Sequence, residues 1–362
     1  MAIPQVQPAR YQELLAEKVV RIEQAFAPLH PPPLKVHDSP ASHYRMRAEF
    51  RTWHQDDDLF YVMFERGDKY QRHRLSECAM VHAPIEELMF PLLEAIRADH
   101  ELRFRLFQVE FLATLAGGML VTLLYHRQLA EPWRAKALEL AGRFDIHILG
   151  RARKQRLVLS QDHLIETLEV HGKPYHSKQI EGCFTQPNAI VCQKMLEWAL
   201  DSATGIGGDL VEFYCGNGNF TIPLASQFRR VIATEISKPS ARAATESMAL
   251  NGITNVDLVR ISAEQFTQVL RGERTSRRMA GIDLEDYDFR AVLVDPPRAG
   301  LDAETVEQVR LYDHIIYVSC NAQTMLHNLQ SLSMTHTIES FALFDQFPYT
   351  DHIETGVLLR RR

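Results

Sequence analysis

Between residues 11 and 26, Leu14, Leu15, Val19, Ile22 and Phe26 recur at helical spacing with charges between them. The spacing predicts an amphipathic helix, closed by Pro31-Pro32-Pro33. From His43 to Arg74 the pattern changes to short runs of β-formers, residues 44–53 and 59–64, around the polar turn Gln55-Asp56-Asp57-Asp58, and a hairpin is expected. A helix is expected over about 84–100, a hairpin from 107–115 and 119–125 around Gly117-Gly118, and another helix over 132–144. Strand-like segments continue to about Phe184, so the first half reads as an α+β unit. After Gln186 the rhythm becomes helix (191–200), strand (209–214), helix (221–227), strand (230–235), helix (238–251), with further strands at 256–260, 290–294 and 314–319. That alternation predicts an α/β fold with a doubly wound, largely parallel, Rossmann-like sheet. The expected domains are 1–185 and 186–362.

Composition narrows the classes. The 362 residues suffice for two or three folding units, and 46% hydrophobic against 24% charged residues excludes disorder or a coiled coil as the main theme. A formal net charge of −6 gives no global positive field, so any nucleic-acid site must be a local patch. The five cysteines form no C-x-x-C pair, which argues against a disulfide framework, a zinc site or an iron–sulfur clamp and for a reducing cytoplasm. No secretory signal is expected at the N-terminus. The apolar run 111–125 is broken by Gly117-Gly118 and is shorter than the roughly 20 residues a bilayer needs, so no membrane span is expected.

The chemistry concentrates in the second half. Leu210-Val211-Glu212-Phe213-Tyr214 runs into Cys215-Gly216-Asn217-Gly218-Asn219-Phe220, a strand feeding a glycine turn and then a helix. Glycines there let backbone approach a ligand, and Glu235, ending the next strand about twenty residues after Gly216, is where a carboxylate meets a ribose diol. Thr221 occupies the position of the third glycine of a dinucleotide fingerprint, so the pyrophosphate cradle is incomplete. S-adenosylmethionine, which has no phosphate, is favoured over NAD; a structural turn is the alternative.

Val292-Leu293-Val294 delivers Asp295-Pro296-Pro297-Arg298 at a strand end, where two prolines make a stiff wall against which a flat base could lie; a rigid loop is the other reading. The next strand ends at Cys320-Asn321. Cys78, Cys183 and Cys192 read as small hydrophobes and Cys215 as structural, whereas Cys320 is the candidate nucleophile. A thiolate beside a methyl donor suits the C5 carbon of uracil, because addition at C6 turns C4–C5 into an enolate able to attack a sulfonium methyl. Such an adduct is released only when the C5 proton is removed. Glu354, in Asp351-His352-Ile353-Glu354, is the candidate base, although alone it reads more readily as a surface glutamate.

Together with Phe184-Thr185-Gln186-Pro187-Asn188, Ser42-His43-Tyr44-Arg45-Met46-Arg47-Ala48-Glu49-Phe50-Arg51 and Phe344-Asp345-Gln346-Phe347-Pro348, these motifs make the chain resemble, over nearly its whole length, the bacterial tRNA (uracil-5-)-methyltransferase family. The resemblance implies a class I methyltransferase domain behind an RNA-binding domain, acting on the T-loop uridine (position 54) of tRNA and on tmRNA to give 5-methyluridine. It implies S-adenosylmethionine contacts from Gln186, Tyr214, Asn219, Glu235 and Asp295, with Cys320 as nucleophile and Glu354 as proton acceptor. For Asp295 a contact to the target base is equally physical. No metal and no obligate protein partner is implied. Candidate RNA contacts are Arg45, Arg47 and Arg51 at alternating spacing, the basic run 151–156, Phe107 and His126 as stacking platforms, and Arg298 beside the extruded base. The same chemistry on rRNA, amino-group methylation, and a non-catalytic RNA-binding or RNA-folding protein on this scaffold are the rival functions.

Overall fold

The computed structural model describes residues 6–65 and 68–362. In chain order, helix α1 (Tyr11–Phe26) and strand β1 (Lys35–His37) precede β2 (Arg47–Gln55), β3 (Asp58–Glu65) and β4 (Asp68–Arg74). Then come α2 (Ala83–Ala98), α3 (His100–Arg103), β5 (Leu106–Ala113), β6 (Met119–Tyr125), α4 (Glu131–Phe144), β7 (His147–Ala152), β8 (Gln155–Val158), β9 (His163–Val170) and β10 (Lys173–Ile180). The second half holds α5 (Ala189–Ala203), β11 (Asp209–Phe213), α6 (Thr221–Leu224), β12 (Val231–Thr234), α7 (Lys238–Leu250), β13 (Val256–Val259) and α8 (Ala263–Leu270). It ends with β14 (Phe289–Val294), α9 (Ala303–Val309), β15 (His314–Ser319), α10 (Ala322–Leu332), β16 (His336–Phe344) and β17 (Glu354–Arg361).

Two sheets organise these elements. The first has the order β4-β3-β2-β5-β6-β7-β8 and the second β1-β16-β17-β15-β14-β11-β12-β13. In the second sheet β17 alone among its described strands runs antiparallel to both neighbours, β15 and β16, while β15-β14-β11-β12-β13 are all parallel. The doubly wound expectation holds, with β1, β16 and β17 added to it. Sequence patterning passed over all three, and for β1 the reason is that its partner β16 lies about three hundred residues away in the chain.

Residues 11–37 belong to the second sheet. β1 pairs with β16, and Tyr11, Leu15, Ile22 and Phe26 of α1 pack into the core formed by Val292, Ile315, Phe341 and Leu359. The division expected at 185/186 therefore separates the strands of the two sheets except for this N-terminal segment. The buried stripe of α1 is Tyr11, Leu15, Lys18, Ile22 and Phe26, so Leu14 and Val19 fall to its margins. The expected helix 221–227 stops at Leu224, because the Ser226 amide and hydroxyl both donate back to the Pro223 carbonyl (3.3 and 2.8 Å).

One continuous core joins the sheets. Phe50, Tyr61 and Phe111 pack with Ile85, Met89 and Trp133 under the first sheet, and the same cluster runs through Val191, Met195 and Trp198 of α5 to Phe344. The Met46 amide donates to the Pro187 carbonyl at 2.8 Å, fastening the start of β2 to the segment before α5. The β9–β10 hairpin bridges the two units, with Leu164 on Leu112, Leu120 and Leu149 on one side and the Lys178 amide donating to Ser247 Oγ of α7 on the other. No helix among the described residues is long and apolar enough to cross a membrane.

Gly356 marks how tightly this core closes beside the edge that carries the chemistry. A Cβ there would sit 2.9 Å from the Trp198 ring and 3.1 Å from Phe344. Gly356→Ala is expected to destabilise the fold by about 1–3 kcal/mol, measured by urea unfolding.

Candidate active site

Register brings the key side chains together. Phe213, Val294 and Tyr317 are successive partners across β11, β14 and β15, so these parallel strands run out at one edge, where Tyr214 and Asp295 follow directly and β15 continues two residues further to deliver Cys320. β17 begins at that edge, with Ser319 opposite Thr355, and therefore Cys320 leaves its strand beside Glu354. Cys320 is half-buried, and Asn321 caps α10 by accepting from the amides of Gln323 and Thr324 (3.1 and 3.4 Å). A helix N-terminus next to a thiol favours its thiolate.

The electrostatics of the cluster oppose that tendency. Burial, then the charges of Glu354 and Asp295, push the Cys320 thiol up to about 11, while Arg298 pulls it down. Glu354 is held well above the usual carboxylate range by burial and by Asp295, again relieved by Arg298. Burial raises Asp295 to about 7. Arg298 is exposed, and its carbonyl accepts from Asn321 Nδ2 (3.0 Å) and Thr324 Oγ1 (3.4 Å), which ties the segment after the prolines to the turn after Cys320. A candidate nucleophile, two carboxyls with raised pKa and one exposed cation thus act on one another at this edge.

The glycine turn adjoins this cluster. Tyr214 has φ +63°, unusual for a residue with a side chain, and Gly216 and Gly218 follow at +59° and +86°. Glu235 accepts from the Gly216 amide (3.0 Å) and the Ser237 amide (2.6 Å), so the second strand's acid braces the turn and keeps free lone pairs for a diol. Cys192 Sγ donates to Asn219 Oδ1 at 3.4 Å, which orients the amide. Asn219 Nδ2 and Gln186 Oε1 are buried without partners among the described residues. An orphan donor, an orphan acceptor and an acid braced with lone pairs to spare are a donor set that fits S-adenosylmethionine, which offers hydroxyls, a charged amino acid end and a purine.

The RNA candidates divide into groups. The Arg51 guanidinium lies 5.0 Å from the Phe107 ring centroid, and Phe107 and the exposed His126 have centroids 4.3 Å apart. Those three meet on the first sheet, away from α2 and α4, whereas Arg298 stands at the Cys320 edge. Arg45 and Arg47 are committed to the protein, Arg45 Nε to the Arg47 carbonyl (2.8 Å) and Arg47 to the Cys183 carbonyl (2.6 Å). Arg151 and Arg156 are held by Glu181 and Asp162. The expected basic run is thus partly neutralised.

Sequence reasoning missed Glu212, buried in the middle of β11 and pushed up to about 8 by burial. It also missed the network beneath Glu354, where Lys18 Nζ meets Asp345 Oδ1 at 2.6 Å and Tyr11 Oη donates to Asp345 Oδ2 at 3.0 Å. A lysine inside the apolar stripe of α1 was the available signal.

The comparisons agree with this geometry. The family model for tRNA (Uracil-5-)-methyltransferase matches residues 10–362. Curated relatives named tRNA/tmRNA (uracil-C(5))-methyltransferase include those of Chromohalobacter salexigens, 52% identical over 100% of this chain and 98% of its own length, and Stutzerimonas stutzeri, 50% identical over the full length of both. Among solved structures, the Pyrococcus abyssi tRNA (uracil-54, C5)-methyltransferase in complex with S-adenosyl-L-homocysteine shares the fold, with TM-score 0.73, 18% identity, and coverage of 96% of this chain and 83% of that one. The chain belongs to the tRNA (uracil-5-)-methyltransferase family.

Proposed function

We propose that this protein methylates C5 of a uridine in the T-loop of tRNA, position 54, and of the matching loop in tmRNA, through a covalent adduct between Cys320 and C6. The observation that carries this reading is the register that brings Cys320 and Glu354 together at the edge where Asp295 and the glycine turn also end. Gln186, Tyr214, Asn219, Glu235 and Asp295 would hold S-adenosylmethionine. When bound, that molecule supplies an electrophilic methyl group.

Cys320 begins the reaction. Its thiol proton passes to the neighbouring carboxyl pair, in which Asp295, at about 7, is able to accept it. The sulfur adds to C6, and the C5–C6 π electrons move into the ring as an enolate, making C5 a nucleophile. Once C5 carries both a methyl group and its original hydrogen, Glu354 removes that proton. The C–H electrons restore the C5–C6 double bond and expel the Cys320 thiolate, so one proton is released for each methyl transferred. Burial suits Glu354 to this step, because a desolvated carboxylate is a stronger base.

Extracting the base from its loop costs a few kcal/mol, which contacts elsewhere must offset. Arg51, Phe107 and His126 supply a stacking platform with a cation over it, and Arg298 would meet the extruded nucleotide. The five free cysteines suit a reducing compartment, the cytoplasm.

Mass spectrometry of nucleosides from unmodified tRNA, tmRNA and rRNA incubated separately with the protein and methyl-labelled cofactor tests the activity; labelled 5-methyluridine is expected in tRNA and tmRNA, and label confined to rRNA would overturn the substrate assignment. Glu354→Gln is expected to trap a methylated protein–RNA adduct on denaturing gels and Cys320→Ala to give neither adduct nor product. Because the thiol and Glu354 must both lose protons, and Arg298 lowers both pKa values, kcat/KM should rise toward alkaline pH; Arg298→Ala should move that rise up by about 0.5–1 pH unit, with Arg298→Lys restoring most of it. Phe107→Ala or His126→Ala should weaken tRNA binding by about 1–3 kcal/mol per lost stacking contact, read by filter binding, with cofactor affinity unchanged.

A further inference from the structure

Lys18 is a lysine where α1 calls for an apolar residue. It occupies the stripe between Leu15 and Ile22 and is only 5% exposed. An ammonium buried this deeply is tolerable only when its three N–H groups find acceptors. All three do. Nζ donates to Asp345 Oδ1 at 2.6 Å, to the Phe347 carbonyl at 2.9 Å and to the His352 carbonyl at 3.4 Å.

Those acceptors share one segment. Residues 345–353 form the loop between β16 and β17, whose first register pair is Phe344 with Glu354. Asp345 and Phe347 lie at its beginning and His352 near its end, so one ammonium pulls the two arms of the loop together directly before Glu354. The carboxylate half of the staple is itself fixed, since Asp345 Oδ2 accepts from Tyr11 Oη and the Asp345 amide donates to the His37 carbonyl at 3.0 Å. Replacing Lys18 by an apolar side chain would preserve the packing of α1 and release the loop.

We infer that Lys18 is a positioning residue for the last chemical step: by bridging both arms of the 345–353 loop it aims the Glu354 carboxylate at the proton on C5 of the methylated adduct. The inference rests on Glu354 being the base. It assigns Lys18 no contact with RNA, cofactor or reacting atoms. The steps before proton removal belong to Cys320 and the strand ends of β11, β14 and β15, which Lys18 does not touch. Its loss should therefore slow release of the adduct more than its formation.

The test uses the full chain with tRNA and methyl-labelled S-adenosylmethionine, following the fraction of enzyme held as a denaturation-resistant methylated adduct together with kcat and KM. Lys18→Met should lower kcat by about 10- to 100-fold, leave both KM values within about twofold, and accumulate adduct as Glu354→Gln does. Breaking the buried ion pair on one side alone endangers folding, so Lys18→Met combined with Asp345→Asn, which leaves no unpaired charge, provides the second measurement and should trap adduct equally. Tyr11→Phe, which removes one brace of Asp345 but spares the Lys18 bonds, should accumulate clearly less adduct than Lys18→Met. If Glu354→Gln traps adduct while the neutral double variant releases it at the wild-type rate, or if Tyr11→Phe traps as much as Lys18→Met, the positioning role is overturned and the base assignment stands. If Glu354→Gln traps nothing, the base assignment fails and the role of Lys18 fails with it.

Discussion

A strand that runs against its neighbours makes the reaction geometry possible. Parallel strands present only their last residues at the ligand-binding edge of an open sheet, and β11, β14 and β15 do so with Tyr214, Asp295 and Cys320. β17 is inserted antiparallel between β15 and β16, so it presents its first residue instead. Had it run parallel, Glu354 would lie at the opposite edge, about 25 Å away for a strand of eight residues. Neighbouring strands lie roughly 4.8 Å apart, which sets Cys320 and Glu354 on adjacent tracks with room for a planar ring to engage both. The hairpin reversal between β16 and β17 is thus as much a part of the site as the sulfur.

Gathering these groups costs stability. A carboxyl whose folded pKa lies above its unfolded value favours the folded state at low pH, and that contribution is lost as pH rises through the folded value, near 7 for Asp295 and well above the usual carboxylate range for Glu354. At neutral pH the fold therefore carries the strain of desolvated carboxyls whose burial also makes the bases strong. Arg298 moderates the conflict from the rim, where its exposed guanidinium stays hydrated while its charge reaches both Cys320 and Glu354. A fully buried cation would form a tight ion pair and weaken the base.

What could be read from the chain followed from local contrast. Cys320 and Asp295 stand at the ends of apolar runs, so strand patterning delivers them to an edge without any tertiary knowledge; Glu235 follows from its distance to Gly216. Gln186 and Tyr214 lack such contrast and entered only through the resemblance to a known family. The orphan oxygen of Gln186 and the positive φ of Tyr214 are properties of three-dimensional surroundings. The pairing of Lys18 with Asp345 was illegible for a related reason. Lys18 shows only as a lysine in an apolar stripe, and Asp345 reads as an ordinary solvated charge, until helix and hairpin loop, more than three hundred residues apart, are packed together. The arginines show the converse, for Arg45 and Arg47 promise phosphate contacts by spacing, and in the fold each gives one guanidinium N–H to a backbone carbonyl.

The two sheets also constrain each other in a way that bears on base extraction. The strand that carries Arg51 starts one residue after Met46, whose amide is bonded to Pro187, next to Gln186. The shared core runs without interruption from Phe50 and Phe111 through α5 to Phe344, the register partner of Glu354. A platform joined to the reactive edge by packed side chains and strand hydrogen bonds yields little when RNA docks on it. On the proposed reading, binding energy gathered at Arg51, Phe107 and His126 would then be directed into deforming the nucleic acid, the softer partner. A hinge between the two units would let the protein move instead and leave the uridine stacked.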